Sequence, residues 1–199
     1  MPNADPSYKS TIAPITTETV SSFRQIITVL LPVRYPDKFY TESVANPGPS
    51  SLARVALWHE SNKPDQYKAI GGIQCRLEDT NAEGAQSCYI QTIGVLAPYR
   101  ELGIASQLLE SVLATVVRYY PSVKSLSAHV WEMSPDVVEW YQRREFEVDR
   151  SLVQGYYRKL KPAGAWFLTR KIGVPEHLKY RESDNEAPEA IDDDTEERH

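Results

Sequence analysis

The sequence predicts an α/β domain: a central, mixed but mostly antiparallel twisted sheet flanked by helices. Three observations predict it. Strand-like and helix-like runs interleave along the chain in the order β-α-α-β-β-β-α-β-α-β-β. The three strand-like runs in the middle are joined by short polar turns, which only antiparallel neighbours permit. A long amphipathic run then separates two strand-like runs, which is the mark of a helical crossover between parallel strands.

The elements follow in order. After a leader over residues 1–9, Thr11–Ile15 reads as an edge strand, because Pro14 has no N–H to give a central ladder. Thr16 or Thr17 starts a helix in which Phe23, Ile26, Ile27, Leu30 and Leu31 recur at helical spacing, and Pro32 ends it. Pro36 opens a second short helix through Tyr40. Leu52–His59 and Ala69–Leu77 read as antiparallel strands, followed by a strand over Ser87–Val95. Beyond Pro98, one apolar face collects Leu102, Ala105, Leu108, Leu109, Val112, Leu113, Val116 and Val117. Val123–Trp131 is a strand, Ser134–Arg144 a helix, and Phe146–Leu152 and Tyr156–Lys161 are strands.

The 199 residues suit one domain, placed at residues 10–173, with 41% hydrophobic and 25% charged residues. No apolar run reaches the roughly 18 residues of a membrane span, and the N-terminus lacks the basic and apolar regions of a secretory signal. Cys75 and Cys88, without C-x-x-C spacing, read as free thiols of a reducing, cytoplasmic compartment. The net charge of −5 is unevenly placed. Residues 182–199 carry nine acids and one arginine; removing these from the totals of 27 acidic and 22 basic residues leaves 18 against 21. Residues 174–199 therefore read as an acidic, disordered tail on a mildly basic domain. The four histidines show no ligand spacing with either cysteine, so no metal is expected. Without a basic stripe of interleaved aromatics, direct nucleic-acid binding is not expected either.

The chemistry concentrates between Tyr89 and Ala105. Where Ile93-Gly94-Val95 ends its strand, Ala97-Pro98-Tyr99 turns the chain, and Arg100-Glu101-Leu102-Gly103-Ile104-Ala105-Ser106 opens a helix. Such a turn aims unpaired backbone N–H groups from the positive end of a helix at one point, an arrangement suited to a diphosphate. A strand-turn-helix junction with incidental small residues would look the same, so the R-x-x-G-x-A pattern gains meaning from its place in the order of elements.

That strand, the turn and the later Trp140-Tyr141 pair resemble the GNAT superfamily of N-acetyltransferases. Within it, Leu31–Tyr40, Tyr89–Arg100, Ala128-His129-Val130 and Tyr156–Leu160 resemble the catalytic subunits of NatE-type N-terminal acetyltransferases, over roughly residues 10–173. The resemblance implies the GNAT fold, acetyl-CoA as cosubstrate, and the α-amine of a protein N-terminus as acceptor. It implies that Tyr89 and His129 deprotonate that amine through ordered water. Ile93, Gly94 and Val95 would hold the thioester arm, Arg100 to Ser106 the diphosphate, and Ser134 and Tyr141 the remainder of the cofactor. Leu31, Pro32, Val33, Tyr35, Gln91, Tyr156, Tyr157 and Leu160 would line a groove for Met-initiated N-termini with a hydrophobic second residue. Implied partners are nascent polypeptide N-termini and, at the ribosome, NatA-type auxiliary and catalytic subunits.

Three departures stand out: Ser134 replaces an asparagine near the cofactor, Gln91 an apolar residue and Leu31 an aromatic one. On the residues alone, Tyr89 and His129 also suit simple packing, and Tyr156-Tyr157 a plain terminal hairpin. A lysine- or small-amine-specific enzyme and a weakly active scaffold subunit remain open readings.

Overall fold

Residues 8–31, 33–60, 63–80 and 84–182 are described by the computed structural model. They run β1 Tyr8–Pro14, α1 Val20–Leu30, α2 Asp37–Val44, β2 Ala53–Glu60, β3 Lys63–Asp79 and β4 Gln86–Val95. There follow a 3-10 turn Ala97–Tyr99, α3 Ile104–Tyr119, β5 Val123–Trp131, α4 Pro135–Gln142, β6 Glu147–Val148, β7 Ala165–Lys171 and α5 Val174–Glu182. One sheet orders the strands β1-β2-β3-β4-β5-β7-β6. Every pair is antiparallel except β4 and β5, which the crossover through α3 makes parallel. The mixed sheet is therefore as the sequence predicts, and the strand bearing Pro14 does sit at an edge.

Each face of the sheet carries its own apolar cluster. On one, Ile104, Leu108, Leu109, Val112, Leu113, Val116 and Val117 of α3 pack against Ile73, Cys75, Ile90 and Val95. Each such aliphatic side chain contributes about 1.5–3 kcal/mol on full burial. Leu102, assigned to the same apolar face, precedes the helix and stays 38% exposed. On the other face, Phe23 and Ile27 of α1 join Ile15, Phe39, Tyr40 and Val55. Here α1 lies unusually low on the sheet: a Cβ on Gly72 would fall 2.6 Å from the Phe23 ring, and one on Gly94 2.8 Å from Leu30. At Gly72, where the Arg54 carbonyl also stands 3.0 Å away, only glycine fits beneath the helix; at Gly94 a side chain would have to displace the end of Leu30.

The C-terminal third departs from the sequence reading. Tyr156–Lys161 is not a strand but a run of turns and bends, with Gly155 at φ 69° just before it. The last long strand lies later, at Ala165–Lys171, where it fills the place beside β5. The strand expected over Phe146–Leu152 shortens to Glu147–Val148, with one further bridge from Val153 to Ala165.

Residues 174–182, read with the acidic tail, form helix α5 on the flank of α3. Val174 and Leu178 are exposed while Tyr180 is buried in the cluster under α3, so one ring and several polar ties hold this helix. The Lys179 ammonium lies 2.6 Å from Glu110, the Tyr180 hydroxyl donates to Glu110, and Glu176 pairs with Arg170 at 3.1 Å. Glu176 also accepts the Gly173 N–H at 2.9 Å, as the third residue of a helix does in a capping box. Hydrophobic periodicity does not register a helix seated by its charges. The rest of the expected tail, residues 183–199, and residues 1–7 of the leader lie outside the described residues.

Candidate active site

The site is organised by one extra residue in β4. Along β3 and β4, Gln74 faces Thr92 while the next residue, Cys75, faces Ile90, so Gln91 bulges from the ladder. A bulge bends its strand and re-aims the side chains around it. The parallel pairing of β4 with β5 ends at the same point, the last pair being Ile90 with Ala128. Beyond it β4 stays with β3 as far as Val95, and β5 stays with β7 as far as Trp131. A gap therefore opens between Gln91–Val95 and His129–Trp131. Behind it the joined half is locked by a buried hydrogen bond of 2.9 Å between the Ser87 and Ser127 hydroxyls.

The bulge also breaks simple alternation along Ser87–Val95, which by itself would put Tyr89 on the same face as Ile93 and Val95. Ile90, Ile93 and Val95 instead join the cluster under α3. Gly94 and, opposite Arg76, Tyr89 belong to the α1 face.

At the head of the gap Tyr89 and His129 meet. The Tyr89 hydroxyl lies 3.2 Å from His129 Nδ1 and 2.6 Å from the Tyr156 hydroxyl. The Tyr156 ring stacks on the His129 imidazole, centroids 4.0 Å apart and planes 11° from parallel. Tyr157 donates from its hydroxyl to the His129 carbonyl at 3.1 Å, and Phe167 closes on the imidazole from β7 at 4.9 Å. Burial pushes the His129 pKa below the usual histidine value, partly offset by Glu78, so the ring is neutral at pH 7. Burial, reinforced by the hydrogen bond with Tyr156, drives the Tyr89 pKa far upward. Tyr89 is therefore a fixed phenol and His129 an unprotonated base beside it.

The other half of the gap is backbone. The Leu96 N–H donates to the Ile70 carbonyl at 2.8 Å, so the alternation of an antiparallel ladder turns the amides of Ile93 and Val95 away from β3, into the gap. The Val95 carbonyl on that side accepts Arg100 Nε at 3.1 Å. Gly103, at φ 77°, is the N-cap of α3 and offers no side-chain cap. Among the described residues the first-turn amides of Ile104, Ala105 and Ser106 thus have neither an intrahelical nor a side-chain acceptor. A Cβ on Gly103 would meet nothing within 4 Å. Glycine is there for its left-handed backbone, and the space before it is open. Glu101 is also left-handed, at φ 64°. These features fit a diphosphate. Ser134 is the N-cap of α4, and Tyr141 is buried edge-on against Trp140 and Phe146, where burial drives its pKa far upward.

The residues expected in a substrate groove divide. Tyr35 donates from its hydroxyl to the carbonyl of the bulged Gln91 at 2.8 Å and stacks on Phe39 at 4.1 Å. Burial raises the Tyr35 and Tyr157 pKa values, each phenol also feeling a tyrosine of the other wall, so the α1–α2 connection and the 156–157 segment face one another. Leu31 caps the C-terminus of α1 against the second cluster. Val33 and Leu160 are half-buried, and Pro32 lies outside the described residues. Sequence reasoning missed Arg76, whose guanidinium lies 5.0 Å from the Tyr89 ring centroid, and Phe167. Arg76 stands directly across the ladder from Tyr89, but only a register that includes the bulge shows this.

Among the described residues no cluster of acids, histidines or cysteines suits a metal, and no helix is long and apolar enough to cross a membrane.

Known proteins agree with this arrangement. The profile of the acetyltransferase (GNAT) family matches residues 20–146. N-alpha-acetyltransferase 50 of Danio rerio is 29% identical over 161 residues, covering 81% of this chain and 88% of the relative. Probable N-acetyltransferase san of Drosophila melanogaster is 29% identical over 158 residues, covering 79% and 78% respectively. Among solved structures, Arabidopsis thaliana Naa50 in complex with the bisubstrate analogue CoA-Ac-MVNAL superposes with a TM-score of 0.67 at 29% identity, covering 82% of this chain and 99% of that one. With the parted strands, the uncapped turn and a family match over more than half its length, the chain belongs to the GNAT family of acetyltransferases.

Proposed function

We propose that this protein transfers the acetyl group of acetyl-CoA to the α-amino group of polypeptide N-termini, with a preference for Met-initiated N-termini carrying a hydrophobic second residue. The observation that carries the reading is the Tyr89–His129–Tyr156 cluster at the head of the gap, with the open backbone of Ile93 and Val95 below it. The similarity to a Naa50 bound to a CoA conjugate of a Met-initiated peptide supports the same assignment.

Bound acetyl-CoA supplies the thioester carbonyl that the amine attacks. The amides of Ile93 and Val95 hold the thioester arm as an added strand is held, and an N–H there polarises the carbonyl. The turn from Arg100 to Ser106 holds the diphosphate, with Ser134 and Tyr141 along the rest of the cofactor. An α-amine has an ordinary pKa of about 7.7–8.0, so part of it needs deprotonation at neutral pH. Neutral His129 takes that proton, directly or through one water. Tyr89 is too weak an acid to ionise; it passes a proton only while receiving another. Its partner Tyr156 is 39% exposed and opens the hydrogen-bonded chain to solvent. Tyr141, its pKa driven up by burial, keeps its proton and can donate a hydrogen bond to the leaving sulfur, while the thiolate takes up the proton that the attacking nitrogen loses.

Tyr35, Gln91, Tyr156 and Tyr157 close the groove around a peptide backbone, which suits an α-amine better than a long lysine arm. On this reading the acceptor is the nascent chain in the cytoplasm, and NatA-type subunits at the ribosome are the partners the resemblance implies. The test is acetyl transfer to a Met-Leu peptide, measured beside the same peptide with a blocked α-amine and a free lysine. Acetylation of the first alone is expected; acetylation of the lysine alone sinks the N-terminal assignment.

A further inference from the structure

A cation beside the cofactor turn is used by nothing described so far. Arg144 follows α4, and its guanidinium lies over the Trp140 ring, 4.0 Å from the centroid. One terminal nitrogen donates to the Trp140 carbonyl at 2.8 Å and the other to the Ser106 hydroxyl oxygen at 2.5 Å. Ser106 is the third residue of α3, inside the turn whose first amides lack acceptors. A planar cation is thus fixed by three contacts next to the positive end of a helix.

Its charge is not balanced. Among the described residues Arg144 forms no ion pair, whereas Arg24, Arg76, Arg143 and Arg170 each do. Burial, then the neighbouring Arg143, lower its pKa, and Glu110 offsets this only in part. Held still, partly desolvated and without a carboxylate, such a guanidinium is set for an anion from outside the chain. The Ser106 oxygen accepts from Arg144, so its own O–H remains available to donate, and the guanidinium has further N–H groups beyond the two in use.

We propose that Arg144, acting with Ser106, anchors the diphosphate of acetyl-CoA from the α4 side of the turn. The assignment rests on the acetyl-CoA reading above and adds a charge that the R-x-x-G-x-A motif does not contain.

Calorimetric titration of the full chain with CoA, dephospho-CoA and pantetheine tests it. Arg144→Ala is expected to weaken CoA and dephospho-CoA alike by on the order of tenfold, with a shallower salt dependence. Pantetheine, which has no diphosphate, should bind both proteins equally. Arg144→Lys should retain part of the affinity, and Ser106→Ala, which leaves Arg144 on Trp140, should lose a smaller part. Melting curves of each variant show whether the fold is intact. Unchanged CoA affinity in both arginine variants overturns the proposal. So does an equal loss for pantetheine, which marks a purely structural role, or a loss confined to CoA, which moves the contact to the 3′-phosphate. If the unmodified protein binds neither CoA nor dephospho-CoA, the acetyl-CoA reading itself fails and Arg144 falls with it.

Discussion

The two walls of the candidate site are built from different materials. The proposed cofactor wall, from Ile93 to Ser106, is one continuous stretch whose working groups would be mainly backbone amides. The proposed substrate wall joins Tyr35, Gln91, Tyr156 and Tyr157, up to 122 positions apart in the chain, and would work through hydroxyls and rings. Backbone chemistry tolerates substitution as long as the conformation survives. Side-chain chemistry does not, so the cofactor wall should be sensitive to φ and the substrate wall to single atoms.

Four experiments separate the walls, beginning with the group between them. His129→Ala should lower kcat by about 10²–10⁴-fold while CoA affinity stays unchanged in calorimetry. A parallel fall in CoA affinity would mean that the walls are not separable at this residue. Next, Gly103→Val forces a branched side chain to φ 77°, at about 1–2 kcal/mol of strain. CoA binding should weaken by roughly that amount, with the peptide KM little changed.

A smaller effect is expected on pH dependence. Because the folded-state pKa of His129 is lowered, the unfolded chain binds its proton first as pH falls. The acid limb of kcat should therefore lie below the ordinary histidine value of about 6.5, and the ring's contribution to stability should be lost in the same direction. An acid limb above 6.5 in the kcat profile would contradict a desolvated, neutral base. Smallest of all, Gln91→Met should leave CoA binding alone and shift the ranking of peptides by their second residue within about tenfold, read as ratios of kcat/KM.

The same division explains what was legible in the sequence. The turn could be read because Gly103, Ala105 and the strand before them are local signals. Likewise α1 and α3 follow from their apolar spacing. The residues of the other wall were proposed through resemblance, and their geometry stayed hidden: Tyr156 as hydrogen-bond partner of Tyr89 joins residues 67 apart. The strand expected over Tyr156–Lys161 failed for a related reason. Two aromatic residues in sequence suggest a ladder, but here their rings serve His129 while Ala165–Lys171 does the pairing. Helix α5 was missed because Lys179 and Tyr180 find Glu110, and Glu176 finds Arg170, only after folding.

The Gln91 bulge also bears on how this strand tolerates change in length. A strand alternates with period two, so one added residue acts as a half-turn of phase. Ahead of it, Tyr89 is set for one side of the sheet; past it, Ile93 and Val95 are set for the other. Deleting Gln91 would leave Tyr89 and Ile93 three positions apart, so plain alternation would keep each on its present face and the ladder with β3 would close up. What would go is the bend where β4 parts from β5, and with it the carbonyl that Tyr35 grips. The strand can spare this residue as architecture but not as an opening.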